Sequence, residues 1–188
     1  MARDAIATRA RLLAAAREVF SCRGYGDVGV REIATLAGCD PALIRRYFGT
    51  KEALFAEALA GTLDISMLLN VPRERFGVRA MAYFRQAENE ARHPLPMLIF
   101  ATADPVSRAV ALRLLEEIVI APIAAWLGGP RGAEFAARIS VLCSGYFLYQ
   151  RILPLEVLEG SEATRGWLAS ALQAVVDEAQ ESLPGPGQ

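Results

Sequence analysis

The sequence predicts an all-α fold on three observations. Apolar residues recur every three or four positions along most of the 188 residues, as on one face of a helix, whereas strand-like alternation is almost absent. Glycines and prolines separate these periodic segments, and several breaks carry residues that cap helices. Because 53% of the residues are apolar and 22% are charged, a packed core is expected, and a disordered chain or a disulfide-stapled miniprotein is excluded.

The first third of the chain predicts four helices, over residues 8–23, 30–37, 41–47 and 51–69. Gly24 and Gly38 end the first two, because glycine readily takes the backbone conformation that follows a helix. Asp40 and Pro41 open the third, since a carboxylate accepts bonds from free N–H groups and the fixed φ of proline suits the first turn. Thr50 is the predicted cap of the fourth.

The rest of the chain predicts five further helices, over residues 73–92, 95–103, 106–127, 133–153 and 162–182. Asp104 and Pro105 repeat the capping pair that opens the third helix. Pro122 lies inside a helical segment and is expected to kink it, because proline lacks a backbone N–H. Residues 184–188 are rich in proline and glycine and are expected to form a disordered tail.

Residues 30–48 have the pattern of two short helices joined by a tight turn that contains glycine, which is a helix-turn-helix. In this arrangement the first helix holds the second in the major groove of DNA. At 100° per residue, the side of the third helix expected to face the core carries Pro41, Ile44, Tyr47 and Phe48. The opposite side carries Ala42 and Arg46, with Leu43 and Arg45 on its flanks.

These outward side chains suit contacts with DNA. Ala42 allows close approach, Leu43 can meet a thymine methyl group, and Arg45 or Arg46 can hold guanine or a phosphate through two hydrogen bonds. Lys51 opens the fourth helix, where its ammonium and the free N–H groups can together grip a phosphate. The alternative is an ordinary helical corner whose arginines face water.

The charge distribution supports the DNA interpretation only when the chain is divided. The whole chain carries 20 cationic and 21 anionic side chains and is therefore nearly neutral. Residues 1–52 carry nine cations and six anions, whereas the rest carries 11 cations and 15 anions. This asymmetry indicates that the N-terminal part meets a polyanion, although such an excess is also common on solvated protein surfaces.

Over about residues 8–55 the sequence resembles the DNA-binding domain of TetR-family transcriptional regulators, in order and without gaps. The matching residues are Thr8-Arg9, Leu12-Leu13, Ala15-Ala16, Phe20, Gly24-Tyr25, Val30-Arg31-Glu32-Ile33-Ala34, Ala37-Gly38, Tyr47-Phe48 and Lys51-Glu52-Ala53-Leu54. The resemblance implies a homodimeric repressor that binds a palindromic DNA operator and is released by a small inducer. It also implies an N-terminal helix-turn-helix DNA-binding domain (residues 1–55) and a C-terminal helical ligand-binding and dimerisation domain (residues 56–183).

Matching by position makes residues 38–47 the turn and recognition helix. The expected DNA contacts are Arg31, Pro41, Ala42, Leu43, Arg45, Arg46, Tyr47 and Lys51. Gly29 departs from the family, in which many members carry a capping threonine there. Many members also have tyrosine in place of Arg45 and histidine in place of Tyr47. Arg45 therefore either binds a phosphate more strongly than tyrosine or reads a base, and both alternatives stay open.

The last two predicted helices are apolar almost all round, which is typical of a core or an interface. The resemblance implies that they pair with the same helices of a partner chain. The expected interface residues are Leu142, Tyr149, Trp167, Leu168, Leu172 and Val175. The alternative is packing within one chain.

Aromatic residues on the C-terminal helices are candidates to line an inducer site for an apolar or aromatic compound. The candidates are Phe84, Phe100, Trp126 and Tyr146, each of which also suits a plain core position. His93, the only histidine, precedes Pro94 and is expected to be a surface residue or helix cap.

No catalytic residue, cofactor or metal site is expected. The chain lacks the usual catalytic and phosphate-binding motifs, and Cys22, Cys39 and Cys143 are scattered as in a cytoplasmic protein with reduced thiols. The longest apolar runs are about half a membrane span, and the N-terminus lacks the apolar part of a secretion signal. A helical protein-binding adaptor, or a regulator without an inducer, is the alternative function.

Overall fold

The computed structural model describes residues 2–89 and 93–183, so the predicted disordered tail lies outside the described residues. Within these ranges the structure contains helices and turns and no β-strand. The helices are α1 (Ala2–Phe20), α2 (Val30–Leu36), α3 (Ala42–Phe48), α4 (Lys51–Ala60), α5 (Ser66–Leu69), α6 (Phe76–Asn89), α7 (Pro94–Ala101), α8 (Pro105–Leu115), α9 (Ala121–Leu127), α10 (Gly132–Phe147) and α11 (Glu162–Glu181). The all-α prediction is confirmed.

The chain divides into two compact units. The first unit takes in the residues up to Leu63 together with Pro94–Leu115, and the second takes in Asp64 to His93 together with the residues from Glu116 onward. Helices α7 and α8 therefore pack with the N-terminal helices, although they follow α6 in sequence. The functional boundary at residue 56 stays a prediction, because compactness does not test which segment performs which task.

An aromatic cluster lies at the centre of the first unit. The ring of Phe20 meets that of Phe55 edge-on at 5.1 Å, and Tyr25 packs against both. The predicted inner face of α1, which carries Leu12, Ala16, Val19 and Phe20, is buried as expected. These contacts join α1 to α4 and give the short helices α2 and α3 a rigid support.

In the second unit, α6 and α11 approach each other closely. Gly77 on α6 leaves no room for a Cβ, because an added methyl group would collide with the carbonyl of Ala169 on α11. Gln173 on α11 accepts a hydrogen bond from the Gly77 N–H at 3.0 Å and donates one to the Arg73 carbonyl at 2.9 Å. The first bond satisfies the Gly77 N–H, which the start of α6 would otherwise leave unpaired. The second gives a further donor to the Arg73 carbonyl, which already accepts from the Phe76 N–H.

The helices predicted over residues 51–69 and 106–127 are each interrupted, and the one predicted over 133–153 ends in a π-helical turn, Leu148–Ile152. The helix predicted over residues 51–69 ends at Ala60, where Gly61 follows; Asp64 then accepts a hydrogen bond from the Ser66 N–H and opens α5. The kink predicted from Pro122 takes the form of a π-helical turn, Glu116–Ile120, between α8 and α9. The wider turn fits a proline because it relaxes the clash between the ring and the preceding carbonyls.

Candidate nucleic-acid interface

The turn between α2 and α3 has the geometry that a helix-turn-helix needs. Gly38 takes a φ of 60°, in the left-handed region that favours glycine. The Gly38 N–H donates to the Thr35 carbonyl at 3.0 Å and the Cys39 N–H to the Ala34 carbonyl at 2.9 Å. This pair of bonds closes the end of α2 and sends the chain sharply into α3.

The start of α3 is capped as predicted. The Asp40 carboxylate accepts a hydrogen bond from the Ala42 N–H at 2.7 Å. Pro41 has helical dihedral angles but is exposed, so its predicted place on the inner face was wrong. It lies ahead of the first turn of α3, where a side chain is not yet directed at the core.

The two faces of α3 differ as the periodicity predicts. Ile44 and Phe48 are buried, whereas Ala42, Arg45 and Arg46 are exposed. Leu43 and Tyr47 are half-buried at the margins, so Tyr47 is less enclosed than predicted. Within the described residues neither exposed arginine makes an ion pair, and both guanidinium groups are available to an outside anion.

The end of α3 is fixed to α4 by a tight junction. Gly49 has φ 79° and ψ −64°, and the Thr50 N–H donates to the Phe48 carbonyl at 3.0 Å, which makes a γ-turn. Thr50 then caps α4 by accepting a hydrogen bond from the Ala53 N–H at 3.0 Å, as predicted. The rigid junction means that the orientation of α3 follows that of α4.

Two arginines brace this arrangement and were not singled out from the sequence. The Arg9 guanidinium lies 4.8 Å from the Phe48 ring centre and donates to Glu57 at 2.6 Å, so it links α1 to the end of α3 and to α4. Arg23 bonds Glu32 at 2.5 Å and the Asp27 carbonyl at 2.7 Å. Gly29 makes no side-chain cap for α2, as its lack of a hydroxyl predicts.

Arg31 and Lys51 flank α3 and are placed differently. Arg31 is exposed on the first turn of α2. Lys51 is half-buried, and its Nζ donates to the Tyr25 carbonyl at 2.5 Å while lying 4.1 Å from the centre of the Tyr25 ring. One N–H of the ammonium is therefore used within the protein, and the contact of Lys51 with a phosphate stays a prediction.

Two domain families match successive segments of the chain. The one described as "Bacterial regulatory proteins, tetR family" matches residues 12–58, and the one described as "Tetracyclin repressor-like, C-terminal domain" matches residues 74–176. The second match alone covers more than half of the chain. The chain belongs to the TetR family.

One relative matches part of the N-terminal segment, and two solved structures share the fold. An uncharacterized HTH-type transcriptional regulator, YdgC of Bacillus subtilis, is 44% identical to this chain over 54 residues. The match covers 29% of this chain and 28% of YdgC, so the chain matches little more than a quarter of that relative. A TetR-family regulator from Streptomyces coelicolor A3 shares 24% identity and a TM-score of 0.56 over 90% of this chain and 94% of its own. A transcriptional regulator from Rhodococcus sp. Rha1 shares 22% identity and a TM-score of 0.58 over 94% and 99%. At these identities the two structures show the fold alone.

Family membership fixes the coarse function. The chain is a TetR-family transcriptional regulator that binds DNA, and it is not an enzyme. No helix among the described residues is long and apolar enough to cross a membrane. The same part of the chain brings together no group of three or more side chains that could hold a metal ion.

The four candidate inducer residues of this TetR-family regulator do not form one cluster. Phe84 and Tyr146 lie together in the second unit, with ring centres 6.4 Å apart, and Phe147 packs against both. Trp126 packs separately against Phe76 at 5.1 Å. Phe100 belongs to the first unit and is exposed.

The surface position predicted for His93 was wrong, although the residue directly precedes α7, as a helix cap does. It is 7% exposed, and its ring centre lies 4.0 Å from that of Phe147. Burial, helped by the nearby positive charge of Arg151, lowers the pKa of His93 to about 4. No local pattern indicates this burial, since Phe147 lies 54 positions further along the chain.

The candidate interface residues divide into two groups. Leu168 and Leu172 are completely buried inside the second unit, so a partner chain cannot reach them and their assignment to an interface was wrong. Trp167 is 62% exposed and Tyr149 43% exposed, and Leu142 and Val175 are half-buried. Only this second group has surface to offer a partner.

Proposed function

We propose that this TetR-family regulator is a homodimeric repressor that binds a palindromic operator and leaves it when a small apolar or aromatic inducer binds. The observation that carries the proposal is the outer face of α3. Ala42, Arg45 and Arg46 are exposed on a helix whose inner face is anchored by Ile44 and Phe48. Such a face can enter the major groove without rearrangement of the support beneath it.

The DNA contacts follow from this orientation. Arg45 and Arg46 present paired N–H donors, which match guanine O6 and N7 or a phosphate, and Ala42 lets the helix approach the bases closely. Leu43, Pro41 and Tyr47 border this face, and exposed Arg31 on α2 is the proposed backbone contact. In this scheme residues 1–55 bind DNA, and residues 56–183 regulate that binding. The regulator acts in the cytoplasm, where it meets the DNA.

The proposed dimer uses the exposed apolar side chains of α10 and α11. These two helices pack against each other in the second unit. Val141 on α10 is 71% exposed and Trp167 on α11 is 62% exposed, so both large apolar side chains have surface to offer a partner chain. A two-fold symmetric pairing of these helices would cover both side chains and place two copies of α3 on one duplex.

The proposed inducer site is the aromatic cluster of the second unit. Phe84, Tyr146 and Phe147 are buried side by side, with the neutral ring of His93 against them. Apolar rings with one hydroxyl and one imidazole among them suit a small aromatic or apolar compound. Trp126 packs against Phe76 and is not counted in this proposed site.

Selection of DNA duplexes from a random-sequence pool tests the proposal. The purified protein is expected to enrich an inverted repeat and to bind it with two chains per duplex, and thermal-shift hits from apolar metabolites are expected to release it. Enrichment of a single unrepeated site bound by one chain would contradict the dimer. A specific complex that none of the thermal-shift hits dissociates would favour a regulator without an inducer.

A further inference from the structure

Arg165, near the start of α11, has one buried N–H group that binds nothing within the described part of the chain. The side chain as a whole is only 16% exposed. Its Nη2 donates to the Gly160 carbonyl at 2.9 Å and to a carboxylate oxygen of Glu162 at 2.8 Å. Its Nε is buried and has no hydrogen-bond partner among the described residues. A buried donor of this kind is unfavourable unless a water or a ligand accepts its hydrogen bond.

The same guanidinium borders the aromatic cluster of the second unit. The hydroxyl of Tyr146 lies within hydrogen-bonding reach of Arg165. The Tyr146 ring is stacked with that of Phe84 at 6.4 Å and meets that of Phe147 edge-on at 5.5 Å. Because Nε belongs to the guanidinium that reaches Tyr146, its unused N–H lies at the edge of the rings that form the proposed inducer site.

The charges around this cluster favour a negative ligand. Burial, and after it the positive charge of Arg151, lowers the pKa of His93 to about 4, so the imidazole is neutral while a guanidinium acts on it from nearby. Glu162, the carboxylate that Arg165 binds, is 74% exposed. An ion pair with a partner so exposed to water is weak, so Glu162 offsets the charge of Arg165 only in part.

We propose that the aromatic cluster of the second unit binds an aromatic carboxylate, whose oxygen accepts a hydrogen bond from Arg165 Nε and whose ring packs beside Tyr146 and Phe84. A bond between a guanidinium and a carboxylate is charge-assisted and stronger than a bond to a neutral acceptor. The bonds of Nη2 to Gly160 and Glu162 hold the guanidinium in place before the ligand arrives. The inference rests on the proposed inducer site and adds the charge of its ligand.

Titration calorimetry of the full-length protein with matched acids and amides tests this inference. Benzoate and 2-naphthoate are compared with benzamide and 2-naphthamide, which keep the ring and lose the charge. We expect at least one acid to bind about tenfold more tightly than its amide, and acetate, which has no ring, to show no binding. Amides that bind as tightly as the acids would overturn the inference and leave an inducer site for neutral compounds. Binding of none of the four aromatic probes would contradict the proposed aromatic inducer site as well.

Substitution of Arg165 assigns the preference to one side chain. Arg165→Met is expected to lower the affinity for the acid by about tenfold, to the level of the amide, and to leave the affinity for the amide unchanged. Arg165→Lys keeps a positive charge and is expected to retain part of the preference. A full preference for the acid in Arg165→Met would show that Nε meets only water and would overturn the inference.

Arg138→Met is the matched control in the same unit. Arg138 is a partly exposed arginine of α10 that binds Glu134 and Glu178, and its loss is expected to leave both affinities unchanged. Equal losses in Arg138→Met and Arg165→Met would assign the preference to net charge and contradict a specific contact. If Arg165→Met does not fold, as judged by circular dichroism, the wild-type ratio of acid to amide affinity and the Arg165→Lys variant decide the question.

Salt and DNA supply two further readouts. A buried contact is screened less than a surface one, so the wild-type preference for the acid is expected to persist at about 0.5 M salt. Loss of the preference at that salt concentration would place the carboxylate on the protein surface and overturn the inference. Release of operator DNA is measured separately: an acid that binds but leaves the DNA complex intact would contradict the inducer role and still support the carboxylate site.

Discussion

The arginines of α3 and of α10 are placed in opposite ways. On α3, Arg45 and Arg46 are exposed and make no ion pair among the described residues. On α10, Arg138 bonds Glu134 at 2.6 Å and Glu178 of α11 at 2.9 Å. Arginine content alone therefore does not identify a DNA-binding surface; an arginine that lacks a carboxylate partner is available to bind DNA.

The surfaces that remain differ accordingly. The first unit leaves cationic groups exposed on a rigid turn, which suits a polyanion. In the second unit the α10–α11 surface pairs its cations, His93 is buried and uncharged near neutral pH, and what stays exposed includes large apolar side chains such as Trp167. The difference predicts that substitutions in the first unit change DNA affinity and that those in the second change stability or association.

The largest expected effect is a loss of folding stability at Leu168 on α11, which is compared with a substitution of its neighbour Trp167. Leu168→Ala removes a fully buried side chain and is expected to lower the free energy of unfolding by about 2–5 kcal/mol. Trp167→Ala, one residue away, is expected to leave the stability of the separated chain nearly unchanged and to weaken dimerisation. Urea unfolding and sedimentation at several concentrations measure the two effects. A stable Leu168→Ala protein would show that α11 is packed differently.

The next largest effect is a pH dependence of the free energy of unfolding, which arises from His93 in the second unit. Because the pKa of His93 is about 4 in the folded protein and about 6.5 in a model peptide, the unfolded chain binds the proton more readily. Above about pH 6.5, His93 is neutral in both the folded and the unfolded chain, so its titration does not change the free energy of unfolding. As the pH drops from 6.5 toward 4, the unfolded chain takes up the proton first, and the free energy of unfolding falls by about 3 kcal/mol in all. Urea unfolding of the wild type and of His93→Gln, which cannot titrate, should diverge in this window. Parallel curves for the two proteins would contradict the buried neutral histidine.

Local patterns predicted the recognition element well because its determinants lie close together in sequence. Gly38 and Asp40 mark the turn by themselves, and the period of α3 was enough to place Ile44 and Phe48 inside. Contacts between distant residues could not be predicted this way: Lys51 meets Tyr25 across 26 positions, and His93 meets Phe147 across 54. On α11, apolar residues on nearly every side left Leu168 and Trp167 indistinguishable until the packing was known.

A smaller effect directly tests the contrast between free and paired arginines. Arg46→Ala and Arg45→Ala are each expected to weaken operator binding by about 1–3 kcal/mol, because a bidentate contact to a base is lost. Arg138→Ala removes an arginine that is also partly exposed but bound to two glutamates, and it should leave operator affinity unchanged while costing at most about 1 kcal/mol of stability. Gel-shift titration measures the first effect and urea unfolding the second. Equal losses of affinity in all three variants would show that net charge, rather than pairing, governs binding.

The smallest expected effect concerns the turn that directs the free arginines outward. Gly38→Ala meets no neighbouring atom within 4 Å, so its only cost is the left-handed backbone conformation at φ 60°, about 1–2 kcal/mol. Gly145→Ala is the matched substitution: it also meets no atom, lies inside α10 without a positive φ, and replaces glycine with a better helix former. We therefore expect Gly38→Ala to lower the melting temperature and weaken DNA binding and Gly145→Ala to do neither, as measured by thermal melts and gel shifts. If both variants behave alike, α3 is held by its buried face alone, and the turn does not contribute to the orientation of Arg45 and Arg46.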